Sequence, residues 1–214
     1  MPPIDWLGRV DFDTTYAMQE AEVAAIRAGD SPGRIFLLEH EPVFTIGRTR
    51  DQSSLLLREH LPAPLREINR GGQATWHGPG QLVGYLVLDL HRYGGDLHRY
   101  LRFLEQMLID LLATWDIAAT QREGLTGVWV EDRKIASIGV GVRHWISMHG
   151  FGLNICGALD GFNSIVPCGI NGVTMTCVER ECGQAMTVEK AAQAAATLFR
   201  QNLGLLRSAE SPKA

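Results

Sequence analysis

A glycine-rich stretch that leads directly into a long apolar run constrains the fold of this chain more than any other segment. Residues 70–81, RGGQATWHGPGQ, hold four glycines, one proline, one arginine and one histidine, and the nearly continuous apolar residues 82–90 follow. An apolar run with β-branched and aromatic members predicts an inner strand of a sheet. Because glycines let backbone N–H groups approach a bound group, the stretch predicts either a ligand-binding loop or a tight connection between strands with His77 at the turn. It matches neither the phosphate loop GxxxxGK(S/T) nor the dinucleotide pattern GxGxxG.

The rest of the chain mixes helical and strand patterns without a regular βαβ repeat. Strands are predicted at residues 4–10, 34–38, 66–69, 128–131, 135–143, 144–148 and 152–155, with a hairpin-like turn at residues 132–134. Helices are predicted after Asp13, Asp96 and Thr187, and residues 51–58 predict one or two helical turns. These patterns favour an α+β fold with a mixed, largely antiparallel β-sheet flanked by helices. We expect a single catalytic domain over residues 1–207 and a flexible tail over residues 208–214.

Two predicted helices differ in the side chains that repeat along one face. The second helix carries leucines at helical spacing from Leu97 to Trp115, over five turns. The first carries an alanine stripe, whose small side chains favour tight packing against a sheet. The stripe consists of Ala17, Ala21, Ala24 and Ala28.

Composition argues against several classes of protein. The chain has 214 residues and a net charge of −4, which gives no support to a general nucleic-acid-binding surface. No run approaches the roughly 18 apolar residues of a membrane span, and the N-terminus lacks the basic start and apolar core of a signal peptide. We therefore expect a soluble, cytoplasmic protein. Only Lys134, Lys190 and Lys213 among the 20 basic residues are lysines, and arginine suits planar recognition of carboxylates and phosphates.

The four cysteines lie in one late quarter of the chain without a CxxC pair, which indicates reduced thiols rather than a zinc site or a disulfide framework. Cys168 lies between Pro167 and Gly169, where a constrained turn favours an exposed sulfur. A reactive thiol also needs a nearby cation, for which Lys134 and His149 are candidates. The alternative is a buried, inert cysteine and an exposed turn lysine. The other three cysteines are Cys156, Cys177 and Cys182.

Four separated segments together resemble the signature of the lipoyl(octanoyl) transferases. The first is the glycine-rich stretch in the form RGGxxTWHxxGQ, with Tyr85 four residues on. The second is EPVFTIG at residues 41–47, and the third is RKIASIG at residues 133–139. The fourth is HGFGLN at residues 149–154, followed by Phe162 and by PCG at residues 167–169. The resemblance extends from about residue 5 to about residue 205.

The resemblance implies the fold of the lipoate and biotin protein ligase catalytic domains, in which a mixed sheet carries an acyl pocket. It implies transfer of an octanoyl group from octanoyl-acyl carrier protein to a lysine on lipoyl domains of 2-oxoacid dehydrogenase E2 subunits and on the glycine cleavage H protein. It assigns Cys168 as the acyl-accepting nucleophile and Lys134 as the residue that lowers its pKa. It implies no cofactor and no metal. The implied substrate site comprises Arg70, Gly71, Gly72, Gln73, Ala74, Thr75, Trp76, His77, Ser137, Ile138, Gly139, Gly150, Phe151 and Gly152.

The chemistry of such a transfer needs no ATP. A thioester on Cys168 has nearly the free energy of the thioester donor, and its attack by a lysine amine gives a more stable amide. His77 either donates toward the developing oxyanion or only shapes the loop, and backbone N–H groups at residues 168–169 are equally good donors. Leu82, Val83 and Ile165 either line an eight-carbon pocket or belong to the core.

Two other functions stay open on the sequence. An ATP-dependent lipoate or biotin ligase would share the fold, but lipoate ligases carry Asp and Asn where this chain has Gly78 and Gln81. The arginine-rich glycine loop of the biotin ligases is also missing. A non-catalytic lipoyl-domain or acyl-binding module is the second alternative, and it predicts no role for Cys168 or Lys134.

Overall fold

The computed structural model describes residues 1–47, 53–56, 61–169 and 172–207, with the side chain of Cys168 left out. Four α-helices within these residues are α1 (Phe12–Ala28), α2 (Leu97–Ala113), α3 (Val178–Cys182) and α4 (Val188–Asn202). The strands are β1 (Ile4–Val10), β2 (Arg34–His40), β3 (Val43–Gly47), β4 (Leu65–Ile68), β5 (Thr75–His77), β6 (Gln81–Val87), β7 (Thr120–Arg122), β8 (Leu125–Val130), β9 (Arg133–Arg143), β10 (Ile146–Asn154) and β11 (Thr174–Met175). None of the helices in the described part of the chain is long and apolar enough to cross a membrane.

The strands form one large and one small sheet. The large sheet has the order β1-β2-β6-β10-β9-β8-β7, and the short β11 pairs with β9 outside this path. Only β1 with β2 and β11 with β9 are parallel pairs in this sheet, and the other neighbours are antiparallel. The small sheet has the order β4-β3-β5. The prediction of a mixed, largely antiparallel sheet in an α+β fold is therefore confirmed.

Strand β6, which follows the glycine-rich stretch, lies between β2 and β10 in the large sheet. Every residue of β6 is buried, as the apolar run predicts. Its side chains alternate between two cores, with Leu82 and Leu86 on one face and Val83 and Tyr85 on the other. Helices α2 and α4 cover the first face and α1 covers the second, so the large sheet is the middle layer of a helix–sheet–helix arrangement.

The alanine stripe of the first helix does not pack against the sheet. All four of its alanines are exposed. The buried face combines the apolar Phe12, Val23 and Ile26 with polar residues, including Gln19 and Glu22. Gln19 accepts a hydrogen bond from the backbone N–H of His149 at 2.7 Å, and Glu22 pairs with Arg34 at 3.3 Å. Because specific polar contacts satisfy this face, hydrophobic spacing alone selects the wrong side of the helix.

The predicted turn at residues 132–134 is shorter than expected. Strand β8 ends at Val130 and β9 begins at Arg133, so Lys134 lies inside a strand rather than in an exposed turn. Its neighbours across the sheet are Trp129 on β8 and Met175 on β11. Of the segment predicted as helical turns, residues 51, 52, 57 and 58 lie outside the described residues, as does the predicted tail over residues 208–214.

Candidate active site

A cavity of about 370 Å³ opens between the glycine-rich loop, the middle of β9 and β10, and the first turns of α2. One part of its wall is apolar, formed by side chains of the helix and of the sheet. Another part is polar and contains an arginine, two histidines and a tyrosine. The apolar part includes Leu97, Leu101, Leu125, Ile138 and Phe151, and the polar part includes Arg70, His77, Tyr85 and His149.

The alternation of strand β5 divides the loop residues between the cavity and the core. Thr75 and His77 line the cavity. Trp76 points to the other side, where its ring meets Phe162 edge-on at 5.5 Å between centroids. Ala74 is fully buried below the loop. Of the predicted site residues in this stretch, Ala74 and Trp76 therefore support the loop rather than line the cavity.

Arg70 ties the loop to the small sheet. Its Nη2 donates to the carbonyl of Thr45 at 2.8 Å and to the Thr45 hydroxyl at 3.0 Å. The loop backbone also lies directly against β3, because a Cβ at Gly47 would overlap the carbonyls of Arg70 and Gly72. The absence of a side chain at Gly47 is therefore what lets the loop reach its position.

The side chain of Gln81 determines the tautomer of His77. Gln81 Nε2 lies 3.2 Å from the carbonyl of Trp76 and 2.9 Å from Asn154 Oδ1, so this atom is the donor and Oε1 is the acceptor. His77 Nδ1, 2.6 Å from Gln81 Oε1, must then carry the proton. Burial lowers the pKa of His77 to about 3, so the ring is neutral and its Nε2 is an acceptor. This arrangement argues against His77 as a donor to an oxyanion.

His40 fixes the hydroxyl of Tyr85 in the same way. His40 Nδ1 lies 2.8 Å from the carbonyl of Val10, which can only accept, so His40 Nε2 accepts from the Tyr85 hydroxyl at 2.7 Å. Burial lowers the pKa of His40 and raises the pKa of Tyr85, so both are neutral.

His149 lies in the cavity wall and is not a cation. Its side chain is 2% exposed, and neither ring nitrogen makes a hydrogen bond with the described residues. Burial, with the charge of Arg70 as a second cause, lowers the pKa of His149 to about 3. In the sheet, the backbone of His149 pairs with Val140 of β9, which is six residues away from Lys134 along the same strand. Of the two candidate cations for a reactive thiol, His149 is therefore the less suited.

Lys134 is fully buried next to the cavity. Its Nζ donates to the carbonyl of Thr126 at 3.1 Å and lies 5.2 Å from the centre of the Trp129 ring. Thr126 is a lining residue of the cavity, so Lys134 lies directly behind that part of the wall. A buried ammonium requires close acceptors or an aromatic face, and both are present.

The segment that carries Cys168 is held between the loop and Lys134. Its backbone forms a short 3-10 helix over Pro167–Gly169. Ser54 accepts from the N–H of Val166 at 2.7 Å through its carbonyl and from the N–H of Ala74 at 3.1 Å through its hydroxyl. Seven residues after Cys168 the chain pairs with Lys134 through β11. The backbone around Cys168 therefore lies against the glycine-rich loop, and β11, beyond residues 170 and 171, lies beside Lys134.

The remaining cysteines are less suited to nucleophilic chemistry. Burial raises the pKa of the Cys156 thiol, and it raises the pKa of the fully buried Cys177 as well. Cys182 is half-buried, and its sulfur lies 3.6 Å from the carbonyl of Gln184. Within the described residues, no group of three histidine, cysteine or acidic side chains is arranged to hold a metal ion.

Sequence reasoning located most of the cavity but missed parts of it. Arg70 to Gln73, Thr75, His77, Ser137 to Gly139 and Gly150 to Gly152 all line it. Leu82, Val83 and Ile165, which were candidates for the pocket, lie in hydrophobic cores. The residues missed are Ile68, Tyr85, Leu97, Leu101, Gly124, Leu125, Thr126, Val140 and, as a wall residue, His149. For Leu97 and Leu101, the only signal was their place at the start of the amphipathic helix.

Comparison of sequences gives the same assignment over nearly the whole chain. Residues 11–200 match the family model of the lipoyl protein ligase A/B catalytic domain. The octanoyltransferase of Geobacter sulfurreducens is 51% identical over 193 residues, which are 90% of this chain and 81% of that protein. The octanoyltransferase of Synechococcus sp. is 52% identical over 156 residues, which are 72% of this chain and 63% of that protein.

Solved structures share the fold at much lower identity. A bipartite lipoate protein ligase from Thermoplasma acidophilum superposes with a TM-score of 0.69 at 15% identity, over 95% of this chain and 84% of that one. The biotin protein ligase of Aquifex aeolicus gives a TM-score of 0.58 at 14% identity, over 98% of this chain and 72% of that one. These matches confirm the predicted likeness to lipoate and biotin ligase domains. The chain is an acyltransferase that belongs to the lipoyl protein ligase A/B catalytic-domain family, among the octanoyltransferases.

Proposed function

We propose that this protein transfers an octanoyl group from octanoyl-acyl carrier protein to a lysine of a lipoyl domain, through a thioester on Cys168. The observation that carries the proposal is the contact of the Cys168 segment with the glycine-rich loop, where a Cβ at Gly169 would overlap the side chain of Gln73, a residue that lines a cavity with an apolar wall. The names of the relatives support octanoyl transfer as the reaction.

The proposed reaction has two steps. In the first, the Cys168 thiolate attacks the thioester carbonyl of the donor, a new C–S bond forms, and the carrier thiol leaves and takes up a proton. In the second, the acceptor lysine amine attacks the Cys168 thioester, an amide forms and the Cys168 thiolate leaves. Lys134 as a cation favours the thiolate, and as a neutral amine it accepts the proton that the attacking amine loses.

The side chains of the cavity fit an acyl chain. Leu97, Leu101, Leu125 and Ile138 offer an apolar wall to a saturated chain, and transfer of each buried methylene contributes about 0.8 kcal/mol. The histidines of the opposite wall are neutral, so this wall offers no imidazolium charge to a ligand. The backbone N–H of Cys168 remains the candidate donor to the oxyanion, because His77 Nε2 is an acceptor and the N–H of Gly169 already donates to the carbonyl of Val166 at 2.9 Å.

The test is intact mass spectrometry after mixing the protein with octanoyl-acyl carrier protein in the absence of ATP. We expect a hydroxylamine-labile octanoyl adduct on the wild-type protein and on Cys156→Ser, the matched control with a second free cysteine replaced. Cys168→Ser should give no adduct and no amide product, since an alkoxide is far harder to form than a thiolate. An amide product on a lipoyl domain from Cys168→Ser at the wild-type rate would contradict the thioester route.

An ATP-dependent ligase is the alternative that shares this fold. It predicts that free octanoate and ATP replace the acyl carrier donor, with release of pyrophosphate. The same assay with these two reagents distinguishes the two reactions. We expect no product from free octanoate, and product formation from it at the rate of the acyl carrier donor would favour the ligase.

A further inference from the structure

We infer that Glu105 of helix α2 is a positioning residue for Lys134, acting through the single peptide group between Thr126 and Gly127. The N–H of this peptide donates to Glu105 Oε1 at 3.0 Å, and its C=O accepts from Lys134 Nζ at 3.1 Å. The inference rests on the proposed function, because it concerns the group to which that function assigns the proton transfer.

The surroundings of Glu105 fix the orientation of its carboxylate. It is 1% exposed, although it lies on an otherwise apolar face of α2. Oε1 takes the N–H of Gly127, and Oε2 lies 2.6 Å from Nη1 of Arg102, whose side chain is 52% exposed. A buried carboxylate is strongly destabilising unless its oxygens are paired, so Arg102 and the peptide N–H together hold the carboxylate in one orientation.

The site of Lys134 depends on the same peptide. A Cβ at Gly127 would lie 2.8 Å from Cε of Lys134 and 3.1 Å from its Nζ, so a side chain at this position would displace the ammonium. Gly127 also has a φ of +133°, which favours glycine. Rotation of this peptide away from Glu105 would remove the carbonyl of Thr126 from Lys134, so one contact fixes the other.

The two hydrogen bonds of this peptide group strengthen each other. A carboxylate that accepts from the N–H of a peptide increases the negative charge on the C=O of that peptide, because hydrogen bonds in a chain polarise one another. Lys134 Nζ, at the carbonyl end, then meets a stronger acceptor at a fixed place. We therefore expect Glu105 to fix the position of Lys134 Nζ, and Lys134 in turn to favour the Cys168 thiolate.

The test is a double-mutant cycle with alkylation of Cys168 as its readout. The protein is treated with iodoacetamide between pH 5 and pH 10, and Cys168 is followed separately from the other three cysteines by peptide mass spectrometry. Glu105→Gln keeps an oxygen that can accept from Gly127 and removes the charge. We expect its alkylation midpoint to rise by about one pH unit and its rate at pH 7 to fall about tenfold.

The second arm separates positioning from a structural role. In a Lys134→Ala background, Glu105→Gln should change the alkylation profile no further, because the group through which it acts is gone. Equal effects of Glu105→Gln with and without Lys134 would overturn the inference. Asp110→Asn is the matched control, since it removes the same charge from the same helix at a site where the carboxylate accepts from Gln106 Nε2 at 2.7 Å. It should leave the profile unchanged.

Arg102→Gln provides an independent test if Glu105→Gln does not fold. Because Arg102 is half-exposed, its replacement removes little buried packing, but it leaves Glu105 Oε2 without its cation and frees the carboxylate to turn away from Gly127. We expect a smaller upward shift of the alkylation midpoint that again disappears without Lys134. No shift with Arg102→Gln would count against the inference. A different result would contradict only the proposed function. In that case the wild-type protein transfers no octanoyl group, but the double-mutant cycle gives the expected alkylation profiles.

Discussion

Gln81 links the chemistry of the cavity to the strand that follows the loop. Its amide donates to the Trp76 carbonyl and to Asn154 Oδ1 and accepts from His77 Nδ1, so one side chain satisfies three polar groups. It is 2% exposed, so water cannot replace these contacts. The tautomer of His77 follows from this residue and its neutral state follows from burial, which together make His77 Nε2 an acceptor in the cavity wall.

Replacement of Gln81 tests this role. Gln81→Met keeps the volume and removes every hydrogen bond, which leaves His77 Nδ1, the Trp76 carbonyl and Asn154 Oδ1 with a lost partner. We expect the free energy of unfolding to fall by about 1–3 kcal/mol for each group left unsatisfied, less where other contacts compensate. Urea denaturation at pH 7 measures the loss. Gln106→Met on the exposed face of α2 is the control, and equal stabilities of the two variants would contradict the role of Gln81.

Lys134→Arg separates charge from fit and proton exchange. Arginine keeps the positive charge, but it has a larger, planar head group for which the space beside Gly127 is too small, and it does not give up its proton. We expect octanoyl transfer to fall about a hundredfold or more, the usual scale for a lost general acid–base group. The measurement is the rate of amide formation on a lipoyl domain. Lys190→Arg, exposed on α4, is the matched control, and wild-type activity of Lys134→Arg would contradict the proposed role.

At the scale of elements, α2 connects the cavity to the buried carboxylate. Its first turns place Leu97 and Leu101 in the cavity wall, and its third turn carries Glu105. The N-cap Asp96 holds the start of the helix, where its side chain accepts from the N–H of Arg99 at 3.0 Å. Asp96→Ala should lower the free energy of unfolding by about 1 kcal/mol, whereas Asp96→Asn should be nearly neutral. Urea denaturation of both variants measures this, and equal losses would show that the charge rather than the cap matters.

The elements differ in how well the sequence predicts them, and the reason is physical. Helix α2 was predictable because an apolar repeat and a capping aspartate agree. The buried face of α1 was not, because its polar residues pack against partners such as His149, 130 positions away in the chain. Lys134 was expected in a turn, since a lysine after Asp132 and Arg133 resembles exposed sequence. Its burial depends on Thr126, Trp129 and Glu105, which no local pattern reveals.

At the scale of the whole molecule, the cavity is assembled from segments that are far apart in the chain. The loop and the two central strands were predicted, because each carries a recognisable motif. Tyr85 lies in the cavity wall, with His40 hydrogen-bonded behind it, because β2 and β6 are neighbours in the large sheet. Three neutral histidines therefore come together inside the fold from separate elements, on β2, β5 and β10.

These histidines should make the stability of the whole molecule depend on pH. Burial lowers the pKa of His77 and of His149 from 6.5 to about 3, and it lowers the pKa of His40 as well. Below pH 6.5 the unfolded chain therefore binds protons that the folded protein does not. Stability is fully present above pH 6.5 and is lost as the pH falls toward 3, and each histidine contributes a slope of up to about 1.4 kcal/mol per pH unit.

Urea denaturation between pH 5 and pH 7.5 measures this slope in a range that lies above the pKa of most carboxylates. His149→Asn is the informative variant, because asparagine tolerates the positive φ of 61° at this position and does not titrate. We expect its slope below pH 6 to be smaller than that of the wild-type protein by about 1.4 kcal/mol per pH unit, whatever its absolute stability. His98→Asn, at an exposed position on α2, should keep the wild-type slope. If His149→Asn kept it too, His149 would have to be protonated in the folded protein, and the polar wall of the cavity would carry a positive charge beside Arg70.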